Sequence, residues 1–277
     1  MIRRYLFLML SLCALLTISC SKDDDDDDPQ TKTLVESFDI PLDNANSIPA
    51  VIDRNETGDI QMSLYDDNSL EFIITINDLS DTDDLTTSHV HMGDVVSTGD
   101  VAITLVDDTN ISFSDNRASG TIILTDSEVS ALQGDDVYVN VHSTESASGL
   151  VRGQIDQRID NAYNIALSPE NEIPMVPDRE ETGSAYIRLV GSKMYYKIIV
   201  NDLNPNDAIN AGHIHEGAST VNGEVFINLE ISDNDQLDIT KDLTLSDSEL
   251  SKIKEDELYV NIHSNQAQSG LLRGQIR

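Results

Sequence analysis

The six histidines of this 277-residue chain fall into one pattern written twice. His89 and His91 stand in S-H-V-H-M, and His142 follows in Y-V-N-V-H-S. His213 and His215 return in G-H-I-H-E, and His263 in Y-V-N-I-H-S. Imidazole is a common ligand for zinc and copper, and side chains two apart on a strand project to one face, so each H-x-H pair can offer two nitrogens to one ion. Three histidines with an open fourth position form the layout of a catalytic or loosely held metal, not of a closed structural site. The expected cofactor is therefore copper or zinc, one per domain. The plain alternative is a set of structural histidines bonded to loop backbone, and duplication alone does not separate the two.

Neighbouring residues could support such a site. Val139 and Val141 alternate with Tyr138, Asn140 and His142, so the valine face must be core, and the histidines are expected exposed on the outer face or at its rim. Asn261 is the second copy's equivalent of Asn140. Arg152 and Gln154, repeated as Arg273 and Gln275, alternate with apolar residues and share a face. They would either orient metal ligands or anchor a loop through backbone hydrogen bonds, the second being the expected role. Met92 follows His91 and would suit Cu(I), whereas Glu216 takes that place in the second copy; simple packing is the commoner role for such a methionine.

The elements that must position these residues are duplicated as well. Ile48-Pro49 matches Ile173-Pro174, Glu56-Thr57-Gly58 matches Glu181-Thr182-Gly183, and Arg152-Gly153-Gln154-Ile155 matches Arg273-Gly274-Gln275-Ile276. A period of about 120 residues means two whole domains, not a solenoid. Runs such as 70–76, 101–106, 120–124, 137–142 and 150–155 are β-branched or aromatic and are separated by Gly, Asn and Asp clusters, which predicts roughly seven or eight strands per domain. Thr125-Asp126-Ser127-Glu128 and Ser246-Asp247-Ser248-Glu249 are capping boxes that open one short helix in each copy. The domains are drawn at 34–156 and 161–277, joined by a linker too short for free tumbling.

The T-G start, the H-[IV]-H turn, the capped helix and the Y-V-N-[IV]-H-S…S-G-L-[LV]-R-G-Q-I end together resemble the chordin-type (CHRD) domain over nearly all of both halves. That resemblance implies an all-β chain of two tandem immunoglobulin-like or Greek-key β-sandwich domains, and it implies no activity. The H-V-H strand is also similar to the copper site of Cu/Zn superoxide dismutases. The chain departs from them in having no disulfide and no evident bridging histidine, so dismutase activity is not expected.

The ends indicate location. Arg3 and Arg4 precede an apolar stretch from Tyr5 to Ile18, and Cys20 follows Ser19. This resembles a bacterial lipoprotein signal over residues 1–20, with Cys20 as the lipidated residue; an ordinary secretory signal cut near Ser19 is the alternative. Residues 21–33 read as an acidic disordered tether, because Asp23 to Asp28 repel one another. Such a run resembles the acidic export tag of surface lipoproteins in some Gram-negative bacteria. The expectation is a lipid-anchored protein at the outer membrane or cell surface. Cys13 and Cys20 are the only cysteines, so the mature fold is left without disulfide, thiolate ligand or cysteine nucleophile. A net charge of −33 argues against nucleic acid as a partner. The acidic runs 81–84 and 233–235 lack the spaced EF-hand pattern and are expected to be solvated surface. The first expectation is thus a non-catalytic metal-binding surface lipoprotein. An adhesion module for an extracellular protein or glycan is the alternative, and a metalloenzyme at the open site is a third reading.

Overall fold

A computed structural model describes residues 32–107 and 109–277. The expected signal segment, Cys20 and nearly all of the acidic tether lie outside the described residues.

Sixteen strands are present among the described residues, eight in each repeat. In the first, β1 (Leu34–Asp43), β2 (Thr57–Tyr65), β3 (Ser69–Asn77) and β6 (Arg117–Ile123) form one antiparallel layer in the order β6-β3-β2-β1. The second layer is β4 (Leu85–Met92), β5 (Val101–Val106), β7 (Val137–Ser143) and β8 (Val151–Gln154), in the order β5-β4-β7-β8. The chain changes layer after β3, β5 and β6, as the Greek-key expectation requires. The pair Asp43 and Arg152 joins the two layers at one edge. In the second repeat β9 (Asn161–Leu167), β10 (Thr182–Val190), β11 (Lys193–Asn201) and β14 (Lys241–Thr244) build the order β14-β11-β10-β9. They face β12 (Ile209–Glu216), β13 (Val225–Asn228), β15 (Leu258–Ser264) and β16 (Leu272–Gln275), in the order β13-β12-β15-β16.

Alternation explains both layers. In β2, Ile60, Met62 and Leu64 point inward, and they meet Val90, Val139 and Val141 from the other layer in one buried cluster. Ile187, Leu189, Ile214, Val260 and Ile262 do the same in the second repeat. Each such side chain contributes about 1.5–3 kcal/mol of burial. The helices α1 (Asp126–Leu132) and α2 (Asp247–Glu255) carry full capping boxes, with Glu128 and Glu249 returning to the N-cap backbone, as the sequence predicts.

Thr33–Arg277 forms one unit, so the two domains touch. Val95 and Val96 of the first are fully buried against Tyr186 of the second. Thr240 Oγ1 donates to Asp94 Oδ2 at 2.6 Å, and the wholly buried Arg188 reaches the Asn46 carbonyl at 3.4 Å.

One surface expectation is corrected. Asp83 is not solvated: Arg54 reaches its carboxylate at 2.7 Å, and Thr144 Oγ1 and the Glu145 amide donate to it at 2.8 and 2.9 Å. Asp207 repeats this with Arg179 at 2.8 Å and Ser264 Oγ at 2.7 Å. A charged guanidinium satisfies the carboxylate, so burial becomes tolerable.

Candidate metal centre

Strand register assembles the site. β4 pairs with β7 and β7 with β8, so His89, Asn140 and Arg152 lie in one row, and His91, Tyr138 and Gln154 in the next. The second domain repeats the rows as His213, Asn261, Arg273 and His215, Tyr259, Gln275. His142 and His263 lie further along β7 and β15 on the same face. Met92 pairs with Val137 and so lies on the valine side of β4, away from His91.

The histidines converge in both domains, each offering one nitrogen within 4.8 Å of the other two. His89 Nδ1 is 3.2 Å from His142 Nε2, and His213 Nδ1 is 3.1 Å from His263 Nε2. Ring centroids are separated by 5.7, 5.1 and 6.0 Å in the first trio and by 5.6, 5.0 and 6.1 Å in the second. Metal–nitrogen bonds of about 2.0–2.1 Å require nitrogens roughly 3.3 Å apart, so a small closure of the rings would complete a three-imidazole set.

Backbone carbonyls fix the tautomers. A carbonyl oxygen can only accept, so the ring nitrogen facing it must carry the proton. His91 Nδ1 donates to Gly99 O at 3.1 Å and His142 Nδ1 to Ala147 O at 3.0 Å. His215 Nδ1 donates to Gly223 O and His263 Nδ1 to Gln268 O, both at 3.0 Å. Each of these rings therefore turns an Nε2 lone pair toward its neighbours. His91 Nε2 and His215 Nε2 are buried and have no hydrogen-bond partner. The glycines make the carbonyl placement possible: a Cβ on Gly99 would lie 2.0 Å from the Met92 oxygen, and one on Gly223 would strike the Glu216 oxygen.

All six imidazoles are held below their ordinary range. Burial is the main cause throughout. His89 falls to about 4, with further repulsion from His142 and His91. Arg152 and Arg273 lower His91 and His215 further. Neutral imidazoles are the form that ligates metal.

The outer face is more enclosed than alternation alone predicts. His215 is 8% exposed and the other five are half-buried. The reason is the β4–β5 loop, which folds back over the sheet and is clamped by Arg152. Its guanidinium donates to Ser97 O at 2.8 Å and to Asp94 O, and Gln154 Nε2 donates to Gly93 O at 2.9 Å. Arg273 holds the second loop through Ala218 O, Val221 O and Asn222 Oδ1 at 2.8, 2.9 and 3.0 Å, and Gln275 Nε2 donates to Gly217 O at 3.0 Å. Asn140 Nδ2 secures the Ser148 carbonyl at 3.2 Å.

The sequence places Tyr138 on the histidine face but gives neither it nor its repeat Tyr259 a role at the site. Arg152 stacks 3.5 Å over the Tyr138 ring, which lies parallel to His91 at 5.1 Å and 8°. Arg273, Tyr259 and His215 repeat the stack at 3.5 Å, then 5.0 Å and 10°. The available signal was their place in the Y-x-N-x-H alternation, which puts them on the histidine face.

Among the described residues these two trios are the clusters of histidine, cysteine or carboxylate able to hold an ion. No curated protein and no solved structure matches the chain. The CHRD domain profile matches residues 38–155 and again 163–276, and the chain therefore belongs to the CHRD domain family, as a tandem pair.

Proposed function

We propose that each CHRD domain binds one transition-metal ion, copper or zinc, through its three histidines, in a protein held by lipid on Cys20 at the outer membrane or surface of a Gram-negative cell. One observation carries the metal reading. In both domains two of the three rings spend Nδ1–H on a backbone carbonyl, which turns both Nε2 lone pairs toward the other imidazoles and leaves that of His91 or His215 with no partner. A carbonyl behind a ligating histidine is the outer-shell arrangement that fixes tautomer and ring angle in metal sites. The ligand set would be His89 Nδ1, His91 Nε2 and His142 Nε2, and in the second domain His213 Nδ1, His215 Nε2 and His263 Nε2. Nitrogen donors suit copper and zinc alike, and no further side-chain ligand is needed to leave an accessible position.

Metal analysis of untagged protein loaded with Cu or Zn tests this. The expected stoichiometry is two per chain, falling to one when His89 and His91 are both replaced by alanine with circular dichroism unchanged. Less than about 0.2 metal per domain after loading would refute the reading. The anchor rests on Cys20 after an apolar leader and on the aspartate run behind it. Cys20→Ser should move the protein from the membrane fraction to the soluble one, and membrane retention of that variant would count against lipidation.

A further inference from the structure

The two domains differ where one is covered and the other is not. Val95 and Val96 of the first domain are sealed by Tyr186. Their counterparts in the repeat are Ser219 and Thr220, which line a cavity of about 400 Å3 together with Glu172, Arg273 and Gln275. Glu172 occupies the position that is Ser47 in the first domain, just before the repeated Ile-Pro. Ser47 is accounted for there, since its hydroxyl donates to the Leu150 carbonyl at 3.1 Å. Glu172 is not. It is 6% exposed, and its Oε1 has no hydrogen-bond partner. Arg273 offers no ion pair, because its guanidinium is spent on Ala218 O, Val221 O and Asn222 Oδ1.

Two more acceptors share this condition. Gln275 Oε1 is buried without a donor, while its Nε2 serves the Gly217 and Arg277 carbonyls. Asn261 Oδ1 is also without a donor and adjoins the carboxylate: one point, the site of a Cβ on Gly270, is 2.5 Å from both Glu172 oxygens and 2.7 Å from Asn261 Oδ1. An unserved buried acceptor costs about 1–3 kcal/mol, more if charged. Asn140 Oδ1 shares the Asn261 condition in the first domain, so the acceptors peculiar to this cavity are Glu172 and Gln275, and these two call for a donor.

The missing group must donate and not accept, which excludes anions. A hard divalent ion seeks several carboxylates, whereas one buried carboxylate stands here beside a guanidinium. A primary ammonium supplies three N–H donors and a single positive charge. We propose that the cavity of the second domain binds a primary ammonium group, from a free amine or a lysine side chain, with Glu172 as counter-ion and Gln275 as orienting acceptor. It is independent of the metal reading.

Calorimetry on the full chain at pH 8 and physiological salt, in phosphate buffer, tests it with cadaverine and with a blocked lysine tripeptide. Saturable binding with Kd on the order of 1 mM is expected for at least one of them. Affinity should fall tenfold or more in both Glu172→Ser, which copies Ser47, and Glu172→Gln, and stay unchanged in His213→Ala. Binding of cadaverine alone identifies a small amine as the source; binding of the peptide identifies a protein lysine. The N-permethylated analogues, which keep the charge without N–H, should bind much more weakly. The proposal is overturned if neither amine saturates, if the Glu172 variants bind as tightly as the parent, or if the permethylated compounds do as well as the amines.

Discussion

Replacing Glu172 by glutamine should stabilise the protein at pH 8 and do much less at pH 5. Burial pushes the Glu172 carboxyl up from 4.5 to about 7, against a smaller opposing pull from Arg273. In the unfolded chain the group returns to its ordinary value, so between these two values the folded protein holds the proton that the unfolded one has released. The favourable contribution is complete below the unfolded value and is lost as pH rises through the folded one. Titration between these two values gives a penalty of roughly 3 kcal/mol above pH 7. At pH 5 the same linkage leaves less than about 1 kcal/mol, so the stability difference between variant and parent should grow by roughly 2–3 kcal/mol from pH 5 to pH 8. The chain carries fifty acidic residues, and their mutual repulsion also varies with pH. That background is common to both proteins and cancels in the difference. Urea unfolding of both at the two pH values measures it, in acetate and phosphate and not in Tris, which is itself a primary amine. A change below about 0.5 kcal/mol, or one of opposite sign, would refute the claim that this carboxylate is buried without a partner.

Other perturbations separate the two sites. Arg152→Lys removes the forked clamp on Asp94 and Ser97 and the stack on Tyr138; stability should fall by about 2–4 kcal/mol, and metal affinity of the first site by about 10–100-fold, with the second site unchanged by isothermal titration. Thr240→Val lies in the second domain, yet it removes the donor to Asp94 Oδ2. It should loosen the first domain's loop and weaken that site several-fold, a result that equal weakening of both sites would contradict. Gly99→Ala forces a methyl toward the Met92 carbonyl at 2.0 Å and so displaces the acceptor of His91. Loss of one metal per chain with folding retained is expected, and full occupancy would show that this carbonyl does not set the ring.

Much of the fold was legible because β patterning is local. The run 70–76 alternates buried and half-buried side chains, and the two capping boxes announce their helices from four residues each. The histidine face was legible for the same reason, since Val139 and Val141 had to be core. Enclosure was not. It arises because the loop after β4 folds back to place three carbonyls against Arg152 and Gln154, a long-range contact with no periodic signature. Asp83 was misjudged for a related cause: its partner Arg54 is 29 residues away, and nothing local distinguishes a clamped aspartate from a solvated one. Glu172 did leave a trace. Aligning the repeats sets a glutamate against Ser47 next to the shared Ile-Pro, and a charged residue replacing a small one at a conserved turn of an internal repeat is a reason to look there.

Repetition of the histidines could never by itself distinguish ligands from structural residues, because a duplicated domain copies both. Proton accounting supports the ligand reading proposed above. A structural histidine satisfies its donor and its acceptor. Here, in the first domain, Gly99 and Ala147 take the protons of His91 and His142, which leaves two Nε2 lone pairs. The one proton available to them, on His89 Nδ1, reaches His142 alone. His91 Nε2 is left buried with nothing to accept, and His215 Nε2 repeats the deficit in the second domain. An unserved buried acceptor is a cost that packing alone gives no reason to keep twice. Moving the His89 proton from Nδ1 to Nε2 would turn three nitrogen lone pairs inward at once, the arrangement that the proposed metal ion requires. The Arg–Tyr–His stack then has a purpose: it holds the ring whose lone pair is unserved, and it keeps a positive charge near enough to oppose that ring's protonation.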